Sequence, residues 1–151
     1  MAESRIPDYI GLSERVTLEA WLDANPKLRV ATDEDCNCTE DIASVRKGDG
    51  GVWKPKPSFH PYYVSGDFND DKIIDFAVVL IERETRKRFL AIFNNPYARH
   101  AKPAYFAEAD VVLFFGPPRP KPYRLIVGDF WSEGESLEPK GKTYVRVGGD
   151  Y

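Results

Sequence analysis

The chain has few of the residues that most often carry catalysis or bind transition metals. It contains two His, two Cys and one Met in 151 residues. It has no G-x-S-x-G elbow, no H-E-x-x-H pair, and no glycine loop of the Walker or dinucleotide-binding type. We therefore expect no catalytic residues, and we expect His60 and His100 to pack in loops. A catalytic histidine pair assembled by folding is the alternative.

The two cysteines lie in the sequence DCNC, as Cys36 and Cys38. A structural zinc site needs about four ligands, so these two sulfurs do not supply one. The pattern favours two reduced thiols at a junction between a loop and a helix. A strained disulfide across the single intervening residue, or an intermolecular partner, is left open.

Long apolar runs and an excess of positive charge are also missing. The longest apolar run, FAVVLI at 76–81, is far shorter than the roughly 18 residues of a membrane span. The net charge of -3 and the pI near 5.5 give no basic field for nucleic acid. The first residues, MAESRIPDYIGL, do not resemble a secretory leader. The protein is expected in the cytoplasm, or in the periplasm or outside the cell if a leader has been removed.

Apolar residues make up 42% of the chain and aromatic residues 13%. That content suits one folded domain over 1–151 with a substantial core. A first helix is predicted from Ser13 as N-cap, with Leu18, Trp21 and Leu22 at helical spacing and Pro26 as its end. A second helix is predicted over 40–47, capped by Thr39 and ended by Gly48.

From residue 62 onward the pattern changes to strands. DFAVVLIE and RFLAIFNN flank the charged link RETRK and predict a hairpin, and DVVLFFG and YRLIVGDF predict another pair. TYVRVGG predicts a short final strand. Helices followed by antiparallel strands indicate an α+β domain. We expect two N-terminal helices packed on one face of a mostly antiparallel sheet of five or six strands.

The strongest chemical signal is a series of acids before the strand DFAVVLIE. With Asp67 as position 1, Asn69 stands at position 3, Asp71 at 5 and Asp75 at 9, and the carbonyl of Ile73 falls at position 7. Calcium takes six to eight oxygen ligands, and one loop supplies them most simply from alternate positions. Position 12 is apolar, so the loop is not an EF-hand.

The stretch GDFNDDKIIDFAVV at 66–79 resembles the calcium loop of FG-GAP and VCBS-type repeats. The resemblance covers about a tenth of the chain. It implies that Asp67, Asn69, Asp71 and Asp75 bind calcium together with the Ile73 carbonyl, and that the loop opens into a strand of a sheet. The wider layout is similar to small bacterial proteins, many of them exported, that have no assigned activity.

Two positions depart from the family pattern, because Asp70 and Lys72 replace its glycines at positions 4 and 6. Position 6 often adopts a left-handed backbone conformation, which costs a non-glycine residue about 1 kcal/mol. Two interpretations stay open. The loop binds calcium with a dissociation constant of roughly 10⁻⁴ to 10⁻³ M, or it is a metal-free polar turn.

Two further segments are candidates for contacting a partner. Trp53, Phe59, Tyr62 and Tyr63 surround the sequence KPKP and are typical of a ligand platform, although core packing explains them as well. The segment PPRPKP is typical of a polyproline ligand or of a capped hairpin. We expect a non-enzymatic binding or interaction domain whose ligand is an unknown protein or carbohydrate. The alternatives are a hydrolase acting on a carbohydrate through scattered carboxylates, and a metal-free structural domain.

Overall fold

A computed structural model of the chain describes residues 6–48, 55–97, 102–116, 119, 121–130 and 134–148. Its helices are α1 (Leu12–Ala24), α2 (Asp33–Cys36) and α3 (Thr39–Lys47). Its strands are β1 (Leu28–Val30), β2 (Tyr63–Gly66), β3 (Asp75–Glu82), β4 (Arg88–Phe93), β5 (Tyr105–Glu108), β6 (Val112–Phe114), β7 (Leu125–Gly128), β8 (Glu135–Lys140) and β9 (Thr143–Gly148). The chain is therefore an α+β protein, as predicted.

The first sheet is built around β3. On one side β3 pairs with β4, which pairs with β5, and on the other side it pairs with both β1 and β2. β2 pairs with the first half of β3 and β1 with the second half, and every pairing is antiparallel. The second sheet has the order β6-β7-β8-β9 and is also antiparallel.

Strand β3 is apolar from Phe76 to Ile81 because both faces of the first sheet are covered. Phe76, Val78 and Leu80 pack on one face with Leu18 and Leu22 of α1. The alternate residues Ala77, Val79 and Ile81 pack on the other face against the second sheet. Strict alternation of apolar and polar residues is absent for this reason.

The second sheet also buries residues on both faces. Leu113, Leu125, Val127, Leu137 and Tyr144 point toward the first sheet and share its core. Val112, Phe114 and Ile126 point away from it and pack with Ile42 and Val45 of α3. The described part of the chain therefore has four layers, in the order α1, first sheet, second sheet, α3.

This arrangement differs from the prediction of two helices on one face of a single sheet. The described residues form two sheets, and α1 and α3 cover opposite outer faces. The reason is the apolar character of β6 and β7, which bury residues in two directions and so need a cover of their own.

The helix ends show smaller differences. Gly11, not Ser13, is the N-cap of α1, and no side chain caps this end. Helix α3 begins at Thr39 with Cys38 as its N-cap, one residue earlier than predicted. Gly48 ends α3 in a left-handed conformation, as its position predicted.

Several predicted strands are confirmed, and other elements were missed. The β3–β4 and β6–β7 pairs and β9 lie where the apolar patterns placed them. The short elements β1, α2, β5 and β8 were not predicted. Pro117, Pro118 and Pro120 of PPRPKP lie outside the described residues.

Cys36 and Cys38 are joined by a disulfide, which corrects the prediction of two thiols. Asn37 between them takes the left-handed conformation that lets the chain turn from α2 into α3. Among the described residues, no helix combines the length and the apolar composition needed to cross a bilayer.

Candidate metal centre

The acidic loop connects β2 to β3 at one end of the first sheet. Gly66 and Asp75 are register partners in the antiparallel ladder, so residues 67–74 form the connection beyond the last pair. Asp67 and Asp71 are accessible on this loop, whereas Asp75 is the first residue of the buried strand. The pairing of β2 with β3 thus brings Asp75, at the end of the loop, close to Asp67 at its start.

Three predicted ligands converge in this loop. One carboxylate oxygen each from Asp67, Asp71 and Asp75 lies within 4.8 Å of the other two. The repulsion energy between negative charges rises as their distance falls, so three carboxylates this close together repel one another strongly. A cation among them would replace that repulsion with attraction.

Asp75 is fully buried, and its carboxylate accepts two backbone hydrogen bonds. The Phe68 amide donates to Oδ2 at 3.0 Å and the Asn95 amide donates to Oδ1 at 3.1 Å. Burial raises the pKa of Asp75 to about 6, and the negative charges of Asp71 and Asp67 add to the increase. The two amide bonds act in the opposite direction because they favour the charged form.

The rest of the loop is organised around Asp67 and Asp71. The amides of Asp71 and Lys72 donate to the Asp67 carboxylate at 3.1 and 2.8 Å, and the Ile73 amide donates to Asp71 Oδ1 at 3.0 Å. Asp70 and Lys72 have φ values of 59° and 72°. The two positions where the resembled family has glycine are therefore both left-handed, and the chain adopts that conformation without glycine.

Asn69 lies between Asp67 and Asp71. When its amide nitrogen faces them, it donates to Asp67 Oδ1 at 3.1 Å and to Asp71 Oδ1 at 2.9 Å. A cation among the carboxylates would instead favour the opposite orientation, with the amide oxygen toward the ion. The exposed Ile73 lies in the same loop, and coordination by its carbonyl stays a prediction.

Sequence reasoning missed the residues that surround Asp75 from other elements. Asn95 follows β4, and Tyr144 of β9 donates to the side chain of the adjacent Asn94 at 2.6 Å. Burial raises the pKa of the Tyr144 phenol, and the charge of Asp75 contributes to the same effect. The sequence carries no signal for these residues, because they are 19 or more positions from Asp75.

The residues of the loop fit a hard divalent cation. They provide three carboxylates and one amide, all oxygen ligands of the kind that calcium prefers, and one carboxylate is held in place by two backbone bonds. The carboxylates that accept backbone amides keep further lone pairs for an ion. Calcium binding nevertheless stays a proposal.

The other predicted site residues lie apart from this loop. His60 Nδ1 lies 3.0 Å from Asp33 Oδ2, while His100 is outside the described residues. Of the proposed aromatic platform, Tyr62 is buried in the core, Phe59 and Tyr63 border a cleft, and Trp53 is outside the described residues.

Neither protein-family models, nor curated proteins, nor solved structures gave a match to this chain. A function is therefore inferred from the chain's own residues.

Proposed function

We propose that this chain is a non-enzymatic binding or interaction domain in which a structural calcium ion is held by the loop 67–75. The observation that supports this most directly is the convergence of Asp67, Asp71 and Asp75 within 4.8 Å. Together with Asn69 and the carbonyl of Ile73, these residues would form the ligand set. The protein or carbohydrate that the domain binds stays open.

The role of the ion follows from where the carboxylates lie. Asp75 begins β3, the central strand of the first sheet, and Asp67 follows directly after β2. Calcium bound to both would neutralise the mutual repulsion and tie the end of β2 to the start of β3. Because the folded loop binds the ion and the unfolded chain does not, binding stabilises the fold by mass action.

The test is thermal unfolding of the full chain in EDTA and in about 10 mM calcium. A dissociation constant of roughly 10⁻⁴ to 10⁻³ M corresponds to a gain of about 1.4–2.7 kcal/mol at this concentration. For a chain of this length we expect the midpoint to rise by about 3–10 °C. Magnesium at the same concentration should raise it less, because Mg²⁺ demands a stricter octahedral geometry.

Three Asn substitutions in the loop separate ligation from a simple change in charge. Asp67→Asn and Asp71→Asn each remove one carboxylate from the converging set, so we expect most of the calcium shift to be lost. Asp70→Asn removes the same charge from an exposed residue outside that set and keeps a residue type that tolerates a left-handed φ. It should keep the shift.

An equal calcium response in all three variants would show binding elsewhere or nonspecific screening. No shift in the wild type would leave the metal-free structural domain as the better interpretation.

A further inference from the structure

A cleft with a volume of about 600 Å³ opens where β2 of the first sheet meets β6 of the second. Its size falls within the range of about 300–1,000 Å³ that is common for small-molecule sites. The cleft shares no lining residue with the proposed calcium ligands, so this inference does not depend on the calcium proposal.

The walls of the cleft are largely aromatic. The rings come from two strands and from segments before and after them: Tyr9, Phe59, Tyr63, Phe114 and Phe115. Phe59 and Phe114 are buried and stack with their centroids 5.3 Å apart, so part of the wall is rigid. Flat rings of this kind favour a planar ligand, since aromatic pairs stabilise each other beyond the area that they bury.

One wall carries a histidine that is held in position by its neighbours. The His60 ring stacks on Tyr9 at a centroid distance of 3.6 Å and an interplanar angle of 7°. Asp33 contacts Nδ1 at 3.0 Å and also accepts a bond from Arg46, which in turn donates to the Phe59 carbonyl. No residue in the described part of the chain forms a hydrogen bond with His60 Nε2, which leaves that nitrogen for a ligand.

One lysine, Lys56, contributes an ammonium group to the cleft wall. The Lys56 ammonium donates to the Phe115 carbonyl at 3.0 Å, and this bond holds it at the wall. Burial lowers the pKa of Lys56, so its charged form is disfavoured by the surroundings and an anion would stabilise it. Among the described residues that line the cleft, none is an Asp or a Glu.

We propose that this cleft binds a small planar aromatic carboxylate. Its ring would lie against the aromatic walls, and its carboxylate would accept hydrogen bonds from Lys56 Nζ and His60 Nε2. Because Asp33 accepts the Nδ1 proton, His60 donates from Nε2 only as the imidazolium.

The experiment measures binding of three probe molecules to the full chain in EDTA by calorimetry and ligand-detected NMR. Naphthoate has the planar ring and the charge, naphthamide has the ring alone, and cyclohexanecarboxylate has the charge alone. We expect naphthoate to bind with a dissociation constant below about 1 mM and the two controls to bind at least about tenfold more weakly. The His60 nitrogen signals should shift when naphthoate binds. Equal affinity for naphthamide, or no binding of naphthoate, would overturn the proposal.

Variants locate the site. Lys56→Met and His60→Gln should each weaken naphthoate binding by about tenfold, since each removes a charge-assisted hydrogen bond. Lys142→Met removes an equal charge from the β8–β9 turn and should leave the affinity unchanged. Ser58 is exposed at the rim, so Ser58→Trp fills the cleft without disturbing the core. Wild-type affinity in Ser58→Trp would place the ligand elsewhere and reject the site.

Discussion

At Lys72 a long side chain occupies a backbone conformation that favours glycine, with φ at 72°. A left-handed backbone conformation costs an ordinary residue about 1–2 kcal/mol of stability. Glycine avoids this cost, but its greater freedom in the unfolded chain lowers stability by about 0.4–1 kcal/mol. We therefore expect Lys72→Gly to raise the free energy of unfolding by about 0.5–1 kcal/mol. It should also strengthen calcium binding, because it removes a positive charge from the loop that would hold the ion. Urea unfolding with and without calcium measures both effects.

Lys72→Met is the matched control for this change. It removes the same charge and keeps the strained φ, so it should strengthen calcium binding without stabilising the calcium-free protein. Equal stability of the Gly and Met variants would mean that the backbone at this position carries no strain.

Asp35 is a second residue with a measurable effect of its own. Arg29 donates to both of its carboxylate oxygens, at 2.8 and 2.9 Å, and this pairing lowers the pKa of Asp35 from 3.8 to about 2. A carboxyl group whose pKa is lowered on folding stabilises the fold at any pH above its pKa in the unfolded chain. This stabilisation is lost as the pH falls from about 3.8 toward 2. The Arg29 side chain is 36% exposed, so solvent limits the contribution to about 1 kcal/mol.

The test is urea unfolding of the wild type and of Asp35→Asn across this pH range. The variant should be less stable at neutral pH, and the difference should shrink as the pH falls through the window. The control Asp8→Asn changes an exposed residue, and its free energy of unfolding should differ from that of the wild type by the same amount at every pH. A difference between Asp35→Asn and the wild type that does not change with pH would contradict the role of the ion pair.

At the scale of elements, the end of β2 depends on close packing against the loop after β6. A Cβ atom on Gly66 would lie 2.5 Å from Cε2 of Phe115, a distance that requires one group to move. We expect Gly66→Ala to lower the free energy of unfolding by about 1–3 kcal/mol, as overpacking usually does. Chemical denaturation measures this loss.

A double-mutant cycle identifies the cause. Phe115→Ala removes the ring, so Gly66→Ala should cost much less in that background. Gly148→Ala is the control, because its added Cβ would meet its nearest atom, a side-chain oxygen of Glu135, at 3.7 Å. An undiminished cost in the Phe115→Ala background would show that the clash is not with this ring.

At the scale of the whole molecule, the two sheets share one core. Leu90 of the first sheet and Leu113 of the second are almost fully buried in the same cluster. Either sheet alone would expose this face to water, so we expect the sheets to unfold together. Leu90→Ala and Leu113→Ala should each lower the free energy of unfolding by about 2–5 kcal/mol in a single transition.

Two probes report on the two sheets separately. The fluorescence of Trp21, which packs against Phe93 of the first sheet, and the amide exchange of β7 should give the same midpoint in both variants. To isolate Trp21, both other tryptophans are replaced by Phe. Separate midpoints would divide the predicted domain 1–151 into two units.

The sequence by itself determined the features that depend on neighbouring residues. The apolar runs of β3 and β4, the charged tip between them and the glycine at the end of α3 all lie where local patterns placed them. The spacing of the acidic loop likewise predicted which carboxylates converge, because a short connection between paired strands brings its own ends together.

Only the tertiary structure decided which faces these elements share. The sequence does not distinguish a single sheet covered by helices from two sheets packed together. A buried strand has the same apolar pattern whether a helix or another sheet covers it. The pairing of Asp33 with His60 across 27 positions, and the Asn95 bond to Asp75, arise from the same cause. Contacts between distant segments depend on how the layers stack, and stacking depends on the volume and shape of the whole core rather than on any local pattern.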